Sequence, residues 1–149
     1  MDLQLLPLAE INEKQALLHD YSPAEEALAT LKKHNGRFDT TFEQLWTETN
    51  GMKTSQSAKS LWDVTLKVLR EELCGHEGFR SLLNEYIKNS GNATILTTLI
   101  ITVAQITTLP INPAIATIVV LYILKIGIGI FCEYIEPATD VNPAVVGTS

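Results

Sequence analysis

The sequence predicts an all-α protein, a small helical bundle followed by a hydrophobic helical hairpin. Three observations carry this. Apolar residues recur at helical spacing through residues 1–91, helix start and stop signals punctuate them, and Lys125 is the one formal charge between Asn89 and Cys132. The charge-poor run is divided by Leu109-Pro110-Ile111-Asn112-Pro113, which gives it the length of two helices rather than one. No stretch of the N-terminal part alternates with period two for long enough to demand a strand.

Taken in order, Pro7 to about His19 carries Leu8, Ile11 and Leu18 on one side, a modest amphipathic helix. Ser22-Pro23-Ala24-Glu25-Glu26 reads as an N-cap serine, a proline at the first helical position and acids in the first turn, and Asn35-Gly36 supplies the stop. Asp39 or Thr40 caps a short helix bearing Phe42, Leu45 and Trp46, closed by Asn50-Gly51. From Ser57, the residues Leu61, Trp62, Leu66, Leu69 and Leu73 form the stripe a helix buries, and Gly75 ends it. Phe79, Leu82, Leu83, Tyr86 and Ile87 then follow i, i+3, i+4, i+7, i+8 up to Ser90-Gly91. These short joints suit antiparallel helices packed side by side.

Within the hairpin, Thr94, Thr98, Thr102, Gln105 and Thr108 fall on one face of a helix from Asn92 to Leu109. On the second helix Tyr122, Lys125, Gly129, Cys132 and Glu136 fall near one another, and an antiparallel turn brings Lys125 opposite Thr98. A polar seam between the two helices is therefore expected, with Gly127 and Gly129 allowing close backbone approach. The competing reading is that the threonines bond their own i−4 carbonyls. Ile126-Gly127-Ile128-Gly129-Ile130 alternates strictly and makes the end of the second helix its least regular part. Lys125 is expected to snorkel toward Glu133 or pair with a carboxylate there, the alternative being a role in conductance, lipid contact or oligomerisation.

A length of 149 residues and a net charge of −6 fit one domain, or a small domain with a membrane segment, and argue against nucleic acid as a partner. The opening residues lack a basic n-region, so the N-terminal part is expected to stay in the cytoplasm, and Asn92-Ala93-Thr94 is a chance glycosylation triplet. Cys74 and Cys132 stand far apart in unlike surroundings and read as free thiols in a reducing compartment. His19, His34 and His76 show no metal-ligand spacing, Cys74-Gly75-His76 is explained by a helix C-cap, and no phosphate-binding loop occurs. No enzyme, metal or cofactor is expected.

The charge-poor hairpin at Asn89–Cys132, beside amphipathic helices, resembles the membrane-inserting element of colicin-type pore-forming domains and of helical cell-death regulators. That resemblance implies storage in soluble form followed by insertion, and it transfers no site residues. The leading expectation is a membrane-associated protein: an interaction domain at 1–91 that receives a partner or signal, a hairpin at 92–132 that anchors in the lipid or permeabilises it as a homo-oligomer, and a polar tail at 133–149. The alternative is a soluble helical adaptor that binds a protein partner and keeps the hairpin as its core.

Overall fold

A computed structural model describes residues 5–51 and 58–133, with the side chains of 58–60 excepted. The polar tail expected beyond Glu133, Glu136 included, lies outside the described residues. Among the described residues eight helices follow one another: α1 (Leu8–Leu17), α2 (Ser22–Lys33), α3 (Phe38–Asn50), α4 (Ala58–Leu73), α5 (Glu77–Lys88), α6 (Ala93–Ile106), α7 (Pro113–Ile126) and α8 (Ile128–Glu133). Among the described residues there is no strand, and Leu5 makes an isolated antiparallel bridge to Arg37.

The helix boundaries follow local chemistry. α2 ends in a paired backbone motif in which Asn35 N–H donates to Lys32 O at 3.0 Å and Gly36 N–H to Leu31 O at 2.8 Å, with Asn35 left-handed at φ 59°. Gly36 follows at φ 86°, and a Cβ there would lie 2.1 Å from Leu6 O, so the α2–α3 turn and the first segment approach as closely as only glycine permits. Several caps differ from expectation. Tyr21 precedes α2, with Ser22 already helical, and Arg37 precedes α3. His76 caps the start of α5 rather than the end of α4: its Nδ1 accepts from Phe79 N–H at 3.0 Å.

The hairpin helices are short. α6 and α7 have 14 residues each, or about 21 Å at the α-helical rise, against the roughly 30 Å of a bilayer's hydrocarbon core. Thr107 leaves the helical region at ψ 145°, and Gly127 stops α7 at φ 94°. No helix among the described residues is long and apolar enough to cross a membrane. The expectation of a two-span membrane anchor is thereby corrected: the charge-free run was longer than the helices it forms.

Instead, α7 lies in the middle of the bundle. Every residue from Ala114 to Ile123 is buried, and the helix packs against α2, α3, α6 and α8. One hydrophobic core joins Leu28, Phe38 and Leu69 of the N-terminal part to Leu99, Ile118 and Ile123 of the hairpin. Aromatic rings stitch the two parts together, with Tyr122 edge-on to Phe38 at 5.4 Å and to Trp62 at 5.1 Å between centroids. Thr117, fully buried, donates to Pro113 O at 2.8 Å, so its own hydroxyl is paired within α7.

Cys74 and Cys132 are not free thiols. They form a disulfide with Cα atoms 5.7 Å apart across a sequence separation of 58. The ring it closes contains α5, α6 and α7, and by chain entropy such a crosslink contributes about 4 kcal/mol. Sequence distance hid the pairing, because α8 turns back after Gly127 and brings Cys132 to the α4–α5 joint.

Two outcomes follow from the shared core. Ile118→Ala should cost about 2–5 kcal/mol in urea unfolding, the usual range for a fully buried aliphatic truncation. A fragment of residues 1–91 should lose its cooperative thermal transition, because Phe38 and Trp62 lose the ring of Tyr122. A sharp transition in that fragment would show that its helices fold without α7.

Candidate functional site

The C-terminal end of α2 and one face of α3 border a groove of about 450 Å³, lined by His34, Thr40, Glu43, Gln44, Thr47 and Glu48. The five α3 residues share a face by helical spacing, at i, i+3, i+4, i+7 and i+8. A hydrogen-bond relay runs along it. His34 Nε2 lies 2.8 Å from Gln44 Oε1, and Gln44 Nε2 donates to Glu48 Oε2 at 2.9 Å. With Oε1 accepting, the His34 proton sits on Nε2. The hydroxyl oxygens of Thr40 and Thr47 are enclosed and have no hydrogen-bond partner among the described residues. The two threonine hydroxyls are turned inward, and the acceptors the groove presents are the carboxylates of Glu43 and Glu48, which suit a ligand that brings hydrogen-bond donors and positive charge. Among the described residues no group of histidine, cysteine and carboxylate side chains is placed to hold a metal ion.

The seam expected from sequence is not assembled. Thr94, Thr98, Gln105 and Thr108 are exposed and Thr102 is half-buried, while α6 buries Leu96, Leu99, Ile100 and Val103. Apolar surface facing the core outweighs threonine pairing, so the polar stripe turns outward. Thr98 Oγ1 donates to Thr94 O at 2.8 Å, the local i−4 bond. Tyr122 is buried in the aromatic cluster, and Gly129 is exposed on α8. Lys125 pairs with Glu10 of α1 at 3.6 Å rather than with Glu133. Thr94 and Thr98 do border a second groove, of about 320 Å³, beside Asp20 and Tyr21 at the end of α1. Burial of the Tyr21 phenol raises its pKa.

Sequence reasoning missed how the hairpin turn is fastened. Glu72 of α4 accepts from Thr107 Oγ1 at 2.6 Å and from Thr108 Oγ1 and N–H at 2.5 and 3.0 Å. Burial works to raise its pKa, but these three bonds outweigh it and hold the carboxyl below the usual glutamate range. Asn112 Nδ2 donates to Thr49 Oγ1 at 2.8 Å, and Asn50 Nδ2 to Pro110 O at 3.3 Å. The turn's asparagine and threonines were the available signal, since such residues pair when a loop is packed down.

No family model, curated protein or solved structure matches this chain. What the protein does must therefore be read from its own surface.

Glu72→Gln should lower stability at neutral pH by about 0.5–1 kcal/mol, the scale of a partly exposed charge-assisted bond. Because the folded carboxyl titrates low, its contribution is complete above the ordinary glutamate range and lost as pH falls through the folded value. The difference between variant and wild type, followed by thermal melts, should therefore vanish in acid. Tyr86 behaves oppositely. Burial, with Glu13 adding to it, raises the pKa of its phenol, and its hydroxyl is enclosed without a partner among the described residues. The tyrosine contribution is complete below the ordinary phenol pKa and disappears as pH rises through the folded one. Tyr86→Phe should leave neutral-pH stability unchanged or raise it by about 1 kcal/mol, and should weaken the loss of stability in alkali.

Proposed function

We propose that this protein is a helical interaction module without catalytic activity, and that the α2–α3 groove receives a basic side chain of a partner protein. The observation that carries the reading is the burial of α7 on all sides. It assigns the apolar faces of the charge-poor run to the core and leaves function to the polar helix faces. The acceptor-rich lining of the groove, with Glu43 and Glu48 beside the His34–Gln44 relay, favours an arginine or lysine over an acidic or apolar residue. The chain's net charge of −6 draws such a partner in from a distance.

The test uses capped five-residue peptides with a central Arg, Lys, Glu or Leu, titrated into the isotope-labelled full chain. Arg and Lys peptides should shift the amide signals of Thr40, Gln44, Thr47 and Glu48, with weaker effects at high salt. Glu48→Gln should reduce those shifts several-fold, the cost of one charged hydrogen bond. Equal shifts from the Leu or Glu peptides, or shifts centred elsewhere, would remove the groove from consideration. Lys125→Leu supplies a control on the hairpin: liposome flotation of this variant and of wild type should be equally low, as expected when the apolar run is core.

A further inference from the structure

We propose that Cys74–Cys132 is a thiol-exchange site, opened by a dithiol reductant, with Arg80 receiving the charge of the departing Cys132 thiolate. The geometry around the disulfide carries this. Both cysteines are half-buried at the edge of the core rather than enclosed within it. Arg80 Nη1 donates to Cys132 Sγ at 3.3 Å and to Cys74 O at 3.2 Å, and it thus bridges the two halves of the crosslink. Arg70 Nε donates to Phe131 O at 2.7 Å, and its guanidinium lies 5.4 Å from the centre of the Phe131 ring. Arg80 therefore places a cation directly on the sulfur that becomes an anion on reduction, a contact that favours thiolate over thiol, while Arg70 fastens the neighbouring residue.

Exchange proceeds in two balanced steps. A thiolate of the dithiol attacks Cys74 Sγ; the new sulfur–sulfur bond forms as the Cys74–Cys132 bond breaks, and the electron pair leaves on Cys132 beside Arg80. The reductant's second thiolate then attacks its own sulfur in the mixed disulfide. Cys74 is released as a thiolate and takes up a proton, and the reductant departs as a cyclic disulfide. The cysteine pair has gained two electrons and the dithiol has lost them. The asymmetry is the distinctive element, since Arg80 contacts the sulfur of Cys132 and only the backbone of Cys74. Opening the bond removes the covalent tie on α8, which follows the left-handed Gly127 at φ 94°. Phe131, fully buried, and Arg70 remain to hold the helix down.

The experiment follows the folded, oxidised full chain under native conditions. Reduction by dithiothreitol is timed by maleimide capture and mass, and the mixed disulfide formed with glutathione is located by peptide mapping. Glutathione should be found on Cys74. Arg80→Gln should slow reduction about tenfold, the equivalent of one hydrogen bond to a charged sulfur, while Arg80→Lys keeps most of the rate. Glutathione on Cys132, or equal rates in wild type and Arg80→Gln, would overturn the assignment. So would a rate that rises with urea as global unfolding does, because the bond would then open only in unfolded chains. Should Arg80→Gln fail to fold, the position of glutathione on the wild-type chain decides alone.

Discussion

A helix apolar on every side has to be covered on every side, and α7 imposes that condition on the rest of the chain. Each buried aliphatic side chain in it is worth about 1.5–3 kcal/mol relative to exposure, so no arrangement that leaves one of its faces in water competes. α2, α3 and α6 form the cover. Ala24 and Ala27 of α2 are fully buried, so small side chains lie where that helix enters the core. α6, less apolar around its circumference, can afford one outward face, and that face takes the threonines.

The two ends of the hairpin are secured by different chemistry. At the turn, polar groups do it: Glu72 holds Thr107 and Thr108, while Thr49 and Asn50 of α3 meet Asn112 and Pro110. The turn is thereby tied to two helices of the N-terminal part. At the other end the tie is covalent and cationic, through Cys74–Cys132, Arg70 and Arg80. Local bonds that depend on pH at one end and on redox state at the other frame a centre that depends on neither.

The binding role proposed for the α3 face is correspondingly peripheral. Among the described residues the buried core is almost wholly apolar, whereas the α3 face gathers two carboxylates and an amide beside the imidazole at the end of α2. Such a set recognises donors. Helices on a firm core hold these side chains at constant spacing, which is what a binding face requires.

The sequence by itself determined the all-α class and the location of the helices, because periodicity, prolines and glycines act over a few residues. Asn35-Gly36 is an instance: its stop motif is made entirely within the turn. The stripe Phe79, Leu83 and Tyr86 is another, buried as its spacing requires. The threonine stripe of α6 was equally visible as a stripe, but its direction was not. Whether Thr98 faces a partner helix or water depends on which neighbour covers Leu99 and Val103, a choice settled by total apolar burial. Only the tertiary structure decided that Lys125 meets Glu10 from the far end of the chain, that His76 caps the following helix, and that two cysteines 58 positions apart are bonded. It also decided that the apolar run is core: hydrophobicity records a demand for cover, and the same demand is met by lipid or by other helices. Here both helices are 14 residues long, α7 is enclosed and the apolar face of α6 is covered, so protein meets it.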